Sequence, residues 1–186
     1  SWEVSPDGAT YTFHLRHATW SNGDPVTASD FVYAWRRVVD PETPSTYKDR
    51  MYLVKNGKAV VERKVPKEQL GVRASDDRTL VVELEHAAPY FPQLVCLNIF
   101  FPVHRATIEK FGDRWTRTEN LVGNGPYRMT SWKINDRKEF EKDPRYRDAA
   151  NVKLPKFTFV TPGPDTSVGY RMYLAGQVHW IFQAPT

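Results

Sequence analysis

Thr19-Trp20-Ser21-Asn22-Gly23-Asp24-Pro25-Val26-Thr27-Ala28-Ser29-Asp30-Phe31-Val32-Tyr33-Ala34-Trp35-Arg36-Arg37-Val38-Val39-Asp40-Pro41 contains a turn, a helix start, a helix and a helix stop in sequence. Asn22-Gly23-Asp24-Pro25 is turn material, because glycine tolerates positive φ and proline fixes its own. Thr27 stands where a side chain can cap orphan helix amides, and Asp30 follows at capping-box spacing. Asp30 also faces the positive end of the helix dipole. Phe31, Trp35 and Val38 recur at i, i+4 and i+7, so one helix face is apolar. Arg36 and Arg37 suit the C-terminal end, and Asp40-Pro41 closes it.

Before this stretch, Tyr11, Phe13 and Leu15 alternate with Thr12, His14 and Arg16, the pattern of a half-buried strand. After it, Tyr52, Leu53 and Val54 supply apolar anchoring, and Lys55-Asn56-Gly57-Lys58 reads as a polar turn. Glu62 to Gln69 is expected to be a charged loop with a short helix. Val72 to Ala74, Asp76-Asp77-Arg78 and Thr79 to Leu84 predict a β-hairpin. Ala87 to Leu97, with Pro89 and Pro92, predicts a short buried helix. Asn98 to Val103 is expected to return to a sheet as an extended run.

Arg105 to Phe111 predicts a short helix ended by Gly112. Gly123-Asn124-Gly125-Pro126 is a tight turn feeding a strand from Tyr127 to Trp132. Further strands are expected near Lys138 to Lys142 and from Val152 to Val160, the latter broken early by Pro155. Asp165 or Thr166 caps a helix running to about Ala175 and stopping at Gly176, and Gln177 to Phe182 is expected to be a last strand. Mixed strands and helices without a repeat place the chain in a mixed α/β (α+β) class.

The chain has 186 residues, 40% of them hydrophobic and 13% aromatic, enough to bury a core. Twenty-six basic residues oppose twenty-two acidic ones for a net charge of +4, interspersed without a polybasic block. That balance favours a solvated mixed surface over a nucleic-acid footprint. A single cysteine, Cys96, precludes an internal disulfide. No run approaches the roughly 18–20 apolar residues of a membrane span. Ser1 is no initiator residue and no secretion leader precedes it, so the chain is expected to be a piece of something longer.

Residues with chemical potential do not assemble into a reactive group. Gly123-Asn124-Gly125 begins like a dinucleotide fingerprint, but Arg128 stands where glycine is needed and a strand follows. His14 and His17, three apart on an extended segment, point to opposite faces rather than sharing a metal. His86, His104 and His179 have no ligand-type neighbours at helical spacing. Asp76-Asp77 are turn formers, and Cys96, between Val95 and Leu97, reads as a buried thiol. No nucleophile, base and oxyanion donor come together, so neither enzymatic activity, a metal nor a cofactor is expected.

Trp20 to Pro41 resembles the signature region of the extracytoplasmic oligopeptide-binding proteins of ABC importers, bacterial solute-binding protein family 5. The resemblance extends in order through Gln69 to Leu84, Pro89 to Leu94, Ile108 to Thr116, Leu121 to Met129 and Arg171 to Val178. It implies a two-lobed clamp of the periplasmic-binding-protein type that closes on a peptide. Residues 1–104 would form its small additional domain and 105–186 part of the first ligand-binding lobe. It further implies an oligopeptide ligand held through backbone and termini, a membrane permease as partner, and a periplasmic or extracytoplasmic location. A monomer is expected of the complete protein, and no nucleic acid is implied.

Two ligand-binding residues follow from the resemblance. Tyr47 matches a position where the family places a cleft-facing tyrosine. Gln183 falls near where the family supplies polar groups to the peptide. A longer N-terminal segment and a large C-terminal lobe of the family have no counterpart here. His179 replaces the usual acidic residue, and Trp180, Ile181 and Phe182 make that segment unusually bulky. The alternatives are a truncated structural or interaction piece that fails to bind peptide, or a basic nucleic-acid-binding module.

Overall fold

A computed structural model describes residues 1–161, 163 and 165–183. They build a mixed α/β structure with two antiparallel sheets. The first has the order β1-β2-β4-β3, from Trp2–Val4 (β1), Thr10–His14 (β2), Val72–Asp76 (β3) and Thr79–Glu83 (β4). The predicted hairpin is β3–β4, and its register slips once between Ala74 and Asp76. The outer strand β1 lies within a segment read only as Trp2 and a turn; it is short and exposed, with no alternation to reveal it.

Helix α1 spans Ala28–Val39 and packs on β3 and β4. Its start follows the expected chemistry: the Asp30 carboxylate accepts the Thr27 amide at 2.8 Å. The same oxygen accepts the Thr27 hydroxyl at 3.2 Å and the Trp20 indole at 3.2 Å. Trp35 and Val39 are buried with Tyr11, Val72, Leu80 and Val82 of the sheet. Full burial of side chains this size stabilises by about 1.5–3 kcal/mol each. The Trp35 indole also donates to the Phe100 carbonyl at 2.8 Å, so burial leaves its N–H satisfied.

Three expectations fail within this part. Lys55 to Lys58 is not only a turn: Asn56 takes a left-handed conformation at φ 64°, and helix α2 follows at Gly57–Val61. Val60 is buried in the core, and that burial holds a helix too short to form alone. Asn98–Phe100 is a 3₁₀ turn rather than a strand, because Phe100 turns inward edge-on to Trp35 at 5.2 Å. Helix α3, Phe91–Leu94, ends early enough to leave Cys96 exposed, with its thiol 3.4 Å from the Pro92 carbonyl.

The second sheet has the order β5-β6-β7, from Tyr127–Lys133 (β5), Arg137–Lys142 (β6) and Lys156–Val160 (β7). Pro155 delays β7 as expected. Phe140 and Phe157 stack at 4.7 Å, and Tyr127 meets Phe157 edge-on at 4.8 Å. No residue of these three strands is fully buried. Helix α4, Arg105–Phe111, ends at Gly112 with φ 54°. Helix α5, Thr166–Leu174, is capped by Asp165, whose carboxylate accepts the Ser167 amide at 2.8 Å. The expected last strand is not formed: residues 177–183 have no partner strand among the described residues.

The turn of the opening stretch joins the two sheets. The Ser21 amide donates to the Gly123 carbonyl at 2.8 Å, and Gly123 donates back to the Ser21 hydroxyl at 3.2 Å. Arg145 donates to the Ser21 carbonyl at 3.2 Å. The organising turn is thus also the seam.

Candidate functional site

Tyr47 stands at the head of the 3₁₀ turn Lys48–Leu53, just beyond the stop of α1. Two anchors fix that turn. Met51 and Val54 are fully buried, and Val54 forms an isolated bridge to Leu84, the residue just past β4. Lys48 donates to the Asp40 carbonyl at 2.6 Å and ties the turn back to the helix end. Gly57 packs so closely that a Cβ there would collide with the Met51 carbonyl. The backbone beneath Tyr47 is therefore held from three sides.

The Tyr47 side chain itself is 57% exposed, and its hydroxyl has no hydrogen-bond partner among the described residues. A rigid stub with a free phenol is suited to stacking on a ligand and to exchanging one hydrogen bond with it. Neither act requires a change of protonation.

Gln183 is exposed and lies outside any strand. Immediately before it, Trp180 and Phe182 are 66% and 78% exposed and pack on each other at 4.4 Å. Phe182 also reaches Phe159 of β7 at 6.1 Å. This aromatic group carries Gln183 at its end. Tyr47 and Gln183 line neither the groove along α1 nor the groove along residues 60–68.

One polar cluster had no signature in the sequence. His104 is 6% exposed and caps α4, its Nδ1 accepting the Thr107 amide at 3.3 Å and lying 2.6 Å from the Thr107 hydroxyl. With Nδ1 accepting, Nε2 carries the proton and donates to Asp24 Oδ2 at 3.0 Å. Trp20 lies edge-on to the imidazole at 5.4 Å. Carboxylate, imidazole and hydroxyl in line have the order of a nucleophilic relay. Here the hydroxyl is buried and works in a helix cap, so the cluster fastens the Asn22–Pro25 turn to α4. Its partners lie eighty positions apart, which local spacing cannot show.

Among the described residues no three His, Cys, Asp or Glu side chains gather as metal ligands, and no helix is long and apolar enough to cross a membrane. His14 pairs with Glu3 and His17 with Arg78.

The periplasmic oligopeptide-binding protein OppA of Haemophilus influenzae is 42% identical over 182 residues, covering 96% of this chain and 33% of OppA. The probable deoxycholate-binding periplasmic protein YgiS of Escherichia coli is 40% identical over 186 residues, covering 97% of this chain and 34% of YgiS. The solved structure of Haemophilus influenzae OppA in complex with RPPGFSPFR superposes with a TM-score of 0.89 at 40% identity, over 96% of this chain and 35% of that one. The chain spans about a third of the length of these relatives. The family model described as bacterial extracellular solute-binding proteins, family 5 Middle, matches residues 1–186, and the chain belongs to that family.

Proposed function

We propose that this chain is part of the solute-binding component of a peptide ABC importer and supplies Tyr47 to an oligopeptide site. The observation that carries this is the free phenol of Tyr47 on a turn fixed by Met51, Val54 and Lys48. An extended peptide presents unpaired amides and carbonyls, which a cleft satisfies much as an added strand would. Gln183 contributes an amide to the same ligand from the end of the aromatic segment. The chain performs no reaction of its own. Its membrane partner is the importer's permease, its location extracytoplasmic, and the complete protein a monomer.

In this proposal residues 1–104 are the small additional domain of a two-lobed clamp and residues 105–186 part of its first lobe. The four-stranded sheet falls wholly within the first range and the three-stranded sheet wholly within the second, which supports the division. A second ligand class is favoured by one specific relative: YgiS is named as deoxycholate-binding at 40% identity. Trp180 and Phe182 offer the apolar surface that a steroid acid would cover.

Nuclear magnetic resonance mapping separates the two. Titration with tri- to pentapeptides at millimolar concentration is expected to shift the Tyr47 ring signals. Deoxycholate below its micelle concentration would instead shift Trp180 and Phe182. Shifts confined to residues far from Tyr47 under peptide would overturn the peptide site.

A further inference from the structure

We draw no further inference here: the strongest candidate, the aromatic face of the three-stranded sheet that carries Trp132, Phe157 and Phe159 with Trp180 and Phe182 at its edge, is exposed among the described residues, and nothing in the structure shows what covers it.

Discussion

The Trp20 indole donates to the Asp30 carboxylate across 3.2 Å, joining the turn before α1 to the first turn of that helix. Since the same oxygen accepts the Thr27 amide and hydroxyl, one carboxylate terminates the helix, orients the buried indole and closes the loop between them. Removal of Asp30 should therefore cost more than removal of the capping hydroxyl. We expect Asp30→Ala to destabilise by about 2 kcal/mol and Thr27→Ala by about 0.5–1 kcal/mol. Urea denaturation of both variants checks this, and equal midpoint shifts would contradict the shared role of Asp30.

Gly57 links stability to the presentation of Tyr47. A methyl at this position meets the Met51 carbonyl and approaches the Tyr52 Cα at 3.3 Å, so the 3₁₀ turn must move to admit it. Backbone cannot swing aside as a flexible side chain can. Gly57→Ala should destabilise by about 1–3 kcal/mol. It should also broaden or shift the Tyr47 ring signals, whereas Gly125→Ala, where nothing lies within 4 Å of the built methyl, should leave them in place.

The ion pair at the end of α1 sets a pH dependence. The Asp40 carboxyl is held below its ordinary value of 3.8, first by the hydrogen bond from Lys67 and then by the Glu42 amide. The same bond raises the Lys67 amine above 10.5. A depressed carboxyl contributes stability above its unfolded value and loses it as pH falls through the folded one. A raised amine contributes below its unfolded value and loses it as pH rises through the folded one. The pair thus stabilises between about pH 4 and pH 10.5. Lys67 is well exposed, so solvent screening limits the contribution to about 0.5–1 kcal/mol. Asp40→Asn should lower stability at pH 7 by that amount, and the difference should shrink as pH falls below about 4 and the Asp40 carboxylate takes up its proton. A constant offset across the range would show that the carboxylate charge plays no part.

What the sequence revealed was what neighbouring residues decide. The cap, apolar face and proline stop of α1 lie within one stretch, so the helix was legible to its ends. The β3–β4 hairpin was legible for the same reason, as was the start of α5, to within Asp165 or Thr166. Helix α2 was not, since five residues after a left-handed Asn56 are helical only because Val60 is buried by elements distant in sequence. The turn at Asn98–Phe100 depends on Trp35, sixty-five positions away, which claims the Phe100 carbonyl. Val178, Trp180 and Phe182 alternate as a strand should, yet alternation forms no strand where no neighbour pairs with it. For the candidate site, the type and exposure of Tyr47 could be anticipated from family resemblance. The fixed turn beneath it could not, because Met51, Val54 and Gly57 reveal their part only in packing.

Titration calorimetry with tri- to pentapeptides, on the full chain and on Tyr47→Ala, tests the peptide proposal most directly. A clamp gains affinity by burying its ligand between two walls. One exposed tyrosine leaves most of a flexible peptide solvated, so its ordering entropy is offset by few contacts. The expected dissociation constant for this chain is millimolar or weaker, about 4 kcal/mol of binding free energy at most. What little binding there is should fall further in Tyr47→Ala. Micromolar binding abolished by Tyr47→Ala would show that these residues hold a complete site and would contradict the proposal that the chain is one part of a two-lobed clamp. Binding indifferent to Tyr47→Ala would remove this residue from the peptide site altogether.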